Sequence, residues 1–201
     1  MHCRARGLIH IHIHKTAGKS IEETIWNRGG PMGQSCHRNF REYERKPRFN
    51  TNGIFFFSFV RNPWDRAVSS FHALNEVYKT FSGINKNFKE AVMEGHLRIK
   101  TPTQYAFLKD RNGNLSKINF IGKFENINED WKKCVEGIND HMKSNPRIDK
   151  KYYIKYEPLM HINKSKHKHY SEYYDAETRD EIAKIYADDI EKFNYDFEKK
   201  A

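Results

Sequence analysis

Residues 8–20 read Leu-Ile-His-Ile-His-Ile-His-Lys-Thr-Ala-Gly-Lys-Ser, and no other stretch limits the fold of this chain as tightly. Alternating β-branched residues predict a strand over 8–14. A turn of small residues stops it. Ile21, Ile25 and Trp26 then fall at helical spacing, with Glu22 and Glu23 in the first turn, which predicts a helix over 19–28 closed by Gly29-Gly30-Pro31. A strand, a small-residue turn and a helix start leave backbone N–H groups pointing outward at the positive end of the helix dipole, a favourable place for an anion. Lys15 and Lys19 add charge, and the hydroxyls of Thr16 and Ser20 add donors. The plainer alternative is an ordinary strand-to-helix connection with two solvated lysines.

A second stretch repeats the design. Ile54–Val60 is a nearly continuous apolar run, as expected of a central strand buried on both faces of a parallel sheet. It delivers Arg61 at its end. Pro63 stiffens the turn, Asp65 can cap a helix predicted from 65 to 78, and Ser69 lies two turns along it. Arg61 and Ser69 could grip one phosphate, since arginine offers a fork of donors. Equally, Arg61 could pair with Asp65 and leave Ser69 in solvent. Farther on, residues 85–94, 102–108 and 128–142 read as helices, 117–121 and 151–155 as short strands, and Asn112-Gly113 as a turn. A last helix holds Ile182, Ile185, Tyr186, Ile190 and Phe193 on one face, with Asp175 as its N-cap. Alternating strands and helices predict an α/β three-layer sandwich with a mostly parallel central sheet, in one domain over 1–201. Ligands of such sheets sit beyond the carboxyl ends of the strands, where Lys15 and Arg61 both fall.

The formal net charge of +10 favours an anionic partner: nucleotide, sulfated or acidic glycan, nucleic acid or membrane surface. No run of about 18 apolar residues exists to span a membrane. The N-terminus carries no apolar signal region, so the chain reads as cytoplasmic unless a leader has been trimmed. Cys3, Cys36 and Cys134 are odd in number and widely spaced, which fits neither a disulfide framework nor a zinc pattern.

The two anion motifs together resemble the sulfotransferase family, specifically the membrane-type carbohydrate sulfotransferases and their small bacterial relatives. The family's His-Ile-Pro-Lys-Thr-Ala-Gly-Thr-Ser is matched by residues 12–20, except that His14 stands for Pro and Lys19 for Thr. Its Val-Arg-Asn-Pro-x-Asp-Arg-x-x-Ser is matched at every fixed position from Val60 to Ser69. Asn119–Asn126, Tyr173–Asp175, Tyr186–Asp189 and Phe193–Tyr195 also look familiar, so the resemblance covers nearly the whole chain. It implies a P-loop-NTPase-like fold and 3′-phosphoadenosine 5′-phosphosulfate (PAPS) as donor. Lys15, Thr16, Ala17, Gly18, Lys19 and Ser20 would hold the 5′-phosphosulfate, and Arg61 with Ser69 the 3′-phosphate. The acceptor would be a carbohydrate hydroxyl, and the basic surface favours an anionic glycan.

Sulfuryl transfer is an in-line displacement served by positioning and charge stabilisation. Lys15 would stabilise charge on the leaving oxygen. No metal is required, because lysine and the helix dipole supply positive charge. The acceptor hydroxyl needs a general base near neutral pKa. His37 is the first choice, because His37-x-x-Phe40 resembles the place where uronyl sulfotransferases carry their catalytic histidine; Glu22, Glu23 and His72 are the others. Three readings compete. Gly18-Lys19-Ser20 suggests a P-loop kinase, but that motif needs a glycine at Ile13. His10, His12 and His14 suggest a metal site, though a histidine triplet can simply line a polar cleft. The basic run Asn163–Tyr170 suggests a binding module for nucleic acid or another polyanion, although no nucleic-acid partner is expected of a sulfotransferase.

Overall fold

A central strand of six consecutive buried residues, Phe55–Val60, anchors a four-stranded sheet. The structure is a computed structural model that describes residues 2–3, 7–26, 37–45, 51, 53–82, 87–97, 101–146, 148–160 and 168–198. The expected helix stop at Gly29-Gly30-Pro31, Cys36 and residues 163–167 of the basic run lie outside them. Strand order is β1 (His2–Cys3), β2 (Leu8–His10), β3 (Phe55–Val60) and β4 (Phe120–Lys123). β1 is antiparallel to β2, while β2–β3 and β3–β4 are parallel. The fold is thus mixed α/β around a small, mostly parallel sheet.

The chain forms two compact units, residues 1–60 with 106–162 and residues 61–105 with 163–201. The first holds the sheet. Alternation along β3 puts Phe55, Phe57 and Phe59 on one face and Phe56 on the other. The first face is covered by α1 (Gly18–Trp26), through Ile21 and Ile25, and by Ile127–Ser144. That long helix carries Trp131, Cys134, Val135, Ile138 and Met142 on a single stripe, the spacing of an amphipathic helix. On the other face, α2 (Phe40–Glu44) sets Phe40 and Tyr43 edge-on to Phe56.

The second unit is built on α3 (Pro63–Ser82). Its Trp64, Ala67, Val68 and Phe71 pack with α4 (Phe88–Met93) and with Tyr170, Ile182 and Tyr186. Other helices with described bounds in this unit are α5 (Gln104–Leu108, whose last residues belong to the first unit), with Ala176–Ile185 and Ala187–Phe193 following later in the chain; the Ile127–Ser144 helix is α6 and these two are α7 and α8.

Several predicted elements are corrected. The first strand ends at His10, not residue 14, although Ile11 still donates to the Phe57 carbonyl (2.9 Å) and accepts from Ser58 Oγ (2.7 Å). The strand expected at 117–121 lies at 120–123. No strand forms over 151–155. Asp149 instead accepts from Lys151 N–H and starts a 3₁₀ turn at Lys150–Tyr152, and the Asn139 amide bonds both N–H and C=O of Ile154 at 2.8 Å. The last helix is two, α7 and α8, parted at Tyr186. Asp175 caps α7 as expected, with a capping box to Thr178.

Candidate functional site

Lys15 and Ala17 both adopt positive φ, 67° and 62°. Non-glycine residues pay for that geometry, and such outliers gather at functional turns. Two positive-φ residues in one turn ahead of the nine-residue α1 are the kind of backbone that can gather N–H groups into an anion-binding concavity. Lys15 is half-buried and Lys19 exposed. The Thr16 hydroxyl donates inward to the Ile13 carbonyl (3.0 Å), so it pins the turn rather than offering a proton to a ligand. Ala17→Gly is expected to raise stability by about 1 kcal/mol by relieving the left-handed strain, read as a higher denaturation midpoint with unchanged slope.

Two histidines of the triplet, His10 and His12, face α1. His10 and His12 continue the face of β2 that carries Leu8, and both reach Glu22: His12 Nδ1 at 3.0 Å and His10 Nδ1 at 3.4 Å from the same Oε1. His12 also lies over Gly18, where a Cβ would stand 2.2 Å from its Cδ2 and Nε2. Burial pushes the His10 imidazole down to about 4 against the Glu22 hydrogen bond, so it is neutral at physiological pH. Burial would raise the Glu22 carboxyl, but hydrogen bonds from His10 and His12 outweigh it and hold it well below the usual carboxylate range. A carboxylate so held is a weak proton acceptor, which disfavours Glu22 as general base.

His37 completes the cluster. It stacks on His14 with centroids 3.5 Å apart and meets His12 edge-on at 4.5 Å; Phe107 lies 6.0 Å from His14. His37 Nδ1 lies 3.0 Å from the His12 carbonyl. A carbonyl can only accept, so Nδ1 carries the proton and Nε2 of the neutral ring presents a lone pair. Partial desolvation, opposed by that backbone bond, lowers the His37 pKa from its ordinary 6.5. The ring is exposed and in its basic form at neutral pH. Among the described residues, no group of three or more His, Cys, Asp or Glu is arranged to hold a metal ion; the imidazoles of this cluster stack instead.

In the second unit, Arg61 is 8% exposed and binds Asp65 through Nε and Nη2, both at 2.8 Å. The pairing weighed as an alternative is therefore present, but Ser69 is buried rather than solvated. A guanidinium has five N–H donors, so Asp65 alone does not exhaust it. The helix cap is Asn62 and not Asp65: Asn62 Oδ1 accepts from Trp64 N–H (3.1 Å) and lies 3.4 Å from Asp65 N. The Asn62-Pro63 sequence carried that signal, an N-cap residue before proline at the first helical position. His72 Nε2 is 3.0 Å from the Tyr173 hydroxyl. Sequence reasoning gave no role to Arg66, Gln104 and Asp189, which are buried around Arg61; Arg66 is a fixed position of the second motif and Asp189 closes the familiar Tyr186–Asp189 stretch, while no local pattern marks Gln104.

Residues 1–196 match the sulfotransferase family. The chain belongs to that family. It is a transferase of sulfate groups. No curated protein and no solved structure matches it. The described residues of this sulfotransferase include no helix long and apolar enough to cross a membrane. Of the expected site residues, those from Lys15 to Ser20 lie with His37 in the first unit, while Arg61, Ser69 and His72 lie in the second.

Proposed function

We propose that this sulfotransferase is PAPS-dependent and sulfates a carbohydrate hydroxyl, as a relative of the membrane-type carbohydrate enzymes and their small bacterial counterparts. The observation that carries the reading is the turn at Lys15–Gly18, where two left-handed non-glycine residues precede α1 next to a histidine of fixed tautomer. The chain over 1–201 is one domain of P-loop-NTPase-like, three-layer fold. PAPS, when bound, supplies the activated sulfuryl group. The backbone N–H groups of residues 16–20 and the Lys15 ammonium hold the 5′ end, and Lys15 offsets negative charge on the oxygen that leaves. Arg61 and Ser69 hold the 3′-phosphate, Arg61 already fixed in orientation by Asp65. His37 Nε2 accepts the acceptor's hydroxyl proton, and the His12 carbonyl stabilises the imidazolium that results. The net charge of +10 suits an anionic glycan as acceptor.

Calorimetric titration with 3′,5′-adenosine bisphosphate, and with ATP in parallel, both in EDTA, tests the donor site. The bisphosphate is expected to bind more tightly than ATP without a divalent metal, and Arg61→Ala to weaken it by about tenfold or more. Equal affinity for ATP, or a requirement for metal, would sink the PAPS reading.

A further inference from the structure

Arg61 follows the last residue of β3, beyond the sheet's ladder, yet its peptide is not left to solvent. The side chain of Gln104, fully buried, stands in for a neighbouring strand. Its Oε1 accepts the Arg61 N–H at 2.8 Å and its Nε2 donates to the Arg61 carbonyl at 2.8 Å. Gln104 is itself fixed. Asp189, also fully buried, accepts from the backbone N–H groups of Gln104 (2.9 Å) and Tyr105 (2.8 Å). Arg66 pairs with Asp189 at 3.4 Å and donates to the Pro102 carbonyl, and the Tyr186 hydroxyl donates to the Thr101 carbonyl at 3.0 Å. Residues 101–105 are thereby gripped at four backbone groups by the side chains of Arg66 on α3, Asp189 on α8 and Tyr186 between α7 and α8. A buried ion pair is weak evidence of stabilisation, and a device that fixes one conformation is its better-attested use. The end of this device is a two-point hold on the backbone of one residue, Arg61.

We propose that Gln104 is a positioning residue that sets the direction of the Arg61 guanidinium and, through it, discrimination for a phosphate at the nucleotide 3′ position. The proposal rests on the donor-site reading above. Because Arg61 Nε and Nη2 are held by Asp65 and its backbone by Gln104, the side chain is fixed at both ends, and losing the backbone hold swings the whole fork. A misplaced fork loses the bidentate geometry that makes arginine selective for phosphate.

The test is a double-mutant cycle read as the ratio of affinities for 3′,5′-adenosine bisphosphate and 5′-AMP, by calorimetry. Gln104→Met keeps length and removes both hydrogen bonds. It is expected to lower bisphosphate affinity about tenfold with AMP affinity retained, and to change nothing further in an Arg61→Ala background. Gln104→Glu keeps the acceptor for the Arg61 N–H and loses the donor; it is expected to lower the ratio less, and it carries the test where the Met variant does not fold. A variant that folds with the wild-type ratio, or lowers it equally with Arg61 absent, overturns the proposal. A wild type without preference for the bisphosphate overturns the donor-site reading, and this inference with it.

Discussion

His37→Ala should lower turnover by about 10²–10⁴-fold, the usual contribution of a positioned general base, while leaving affinity for 3′,5′-adenosine bisphosphate unchanged. The expectation follows from one hydrogen bond. Because the His12 carbonyl accepts from Nδ1, the neutral ring has its lone pair on Nε2, and protonation of Nε2 destroys the base without disturbing that bond. The pH dependence has a definite sign. The His37 pKa is lowered below 6.5, chiefly by desolvation. The basic form is therefore populated at neutral pH and above, and wild-type turnover should fall only as pH drops through that lowered value. The variant should lack this acid limb. Near-normal turnover in His37→Ala, or an acid limb that survives it, would remove His37 as base. His72 would then be the next residue to replace, since the pull of its neighbours already makes Glu22 a weak proton acceptor.

What could be read from the sequence, and what could not, divides by the range of the interactions involved. Period-two alternation from Leu8 to His14 predicted isoleucines and histidines on opposite faces, and through His12 the structure has this: ladder pairing stops at His10, but His10 and His12 both reach Glu22 while Ile11 and Ile13 remain buried. The apolar run at 55–60 is a buried central strand for the reason its composition suggested. Local capping was legible too: Asp175 starts α7, and Asn62-Pro63 was there to be preferred over Asp65. The strand expected at 151–155 failed because a side chain replaced a strand. Asn139, on α6, bonds the Ile154 peptide just as Gln104 bonds that of Arg61, and a lone amide fifteen or forty-three residues away leaves no periodic trace. The stacking of His14 on His37 has the same origin: two residues joined by tertiary structure across a segment without clear period.

Gly18→Ala should abolish transfer and destabilise the fold by about 2–4 kcal/mol, although it adds a single methyl group. The new Cβ would stand 2.2 Å from Cδ2 and Nε2 of His12, far inside contact distance. A solvent-facing ring would swing away at little cost, but this one is 4% exposed, bonded to Glu22 at 3.0 Å, stacked with His10 at 5.5 Å and met edge-on by His37 at 4.5 Å. Either the ring leaves Glu22, and a buried carboxylate loses a hydrogen-bond partner, or the backbone at residues 17–18 retreats and the left-handed turn opens. Both routes reach the site: the first moves the residue whose carbonyl fixes the His37 tautomer, the second disperses the N–H groups meant for the 5′ end of the donor. The double variant Gly18→Ala/His12→Ala separates them. With the ring gone the methyl group has room, so bisphosphate binding should return if the turn had opened, while transfer recovers only if the His12 side chain has no part in holding His37. Wild-type stability and turnover in Gly18→Ala alone would show that the ring moves freely, and that glycine is at this position for the turn and not for the close approach of His12.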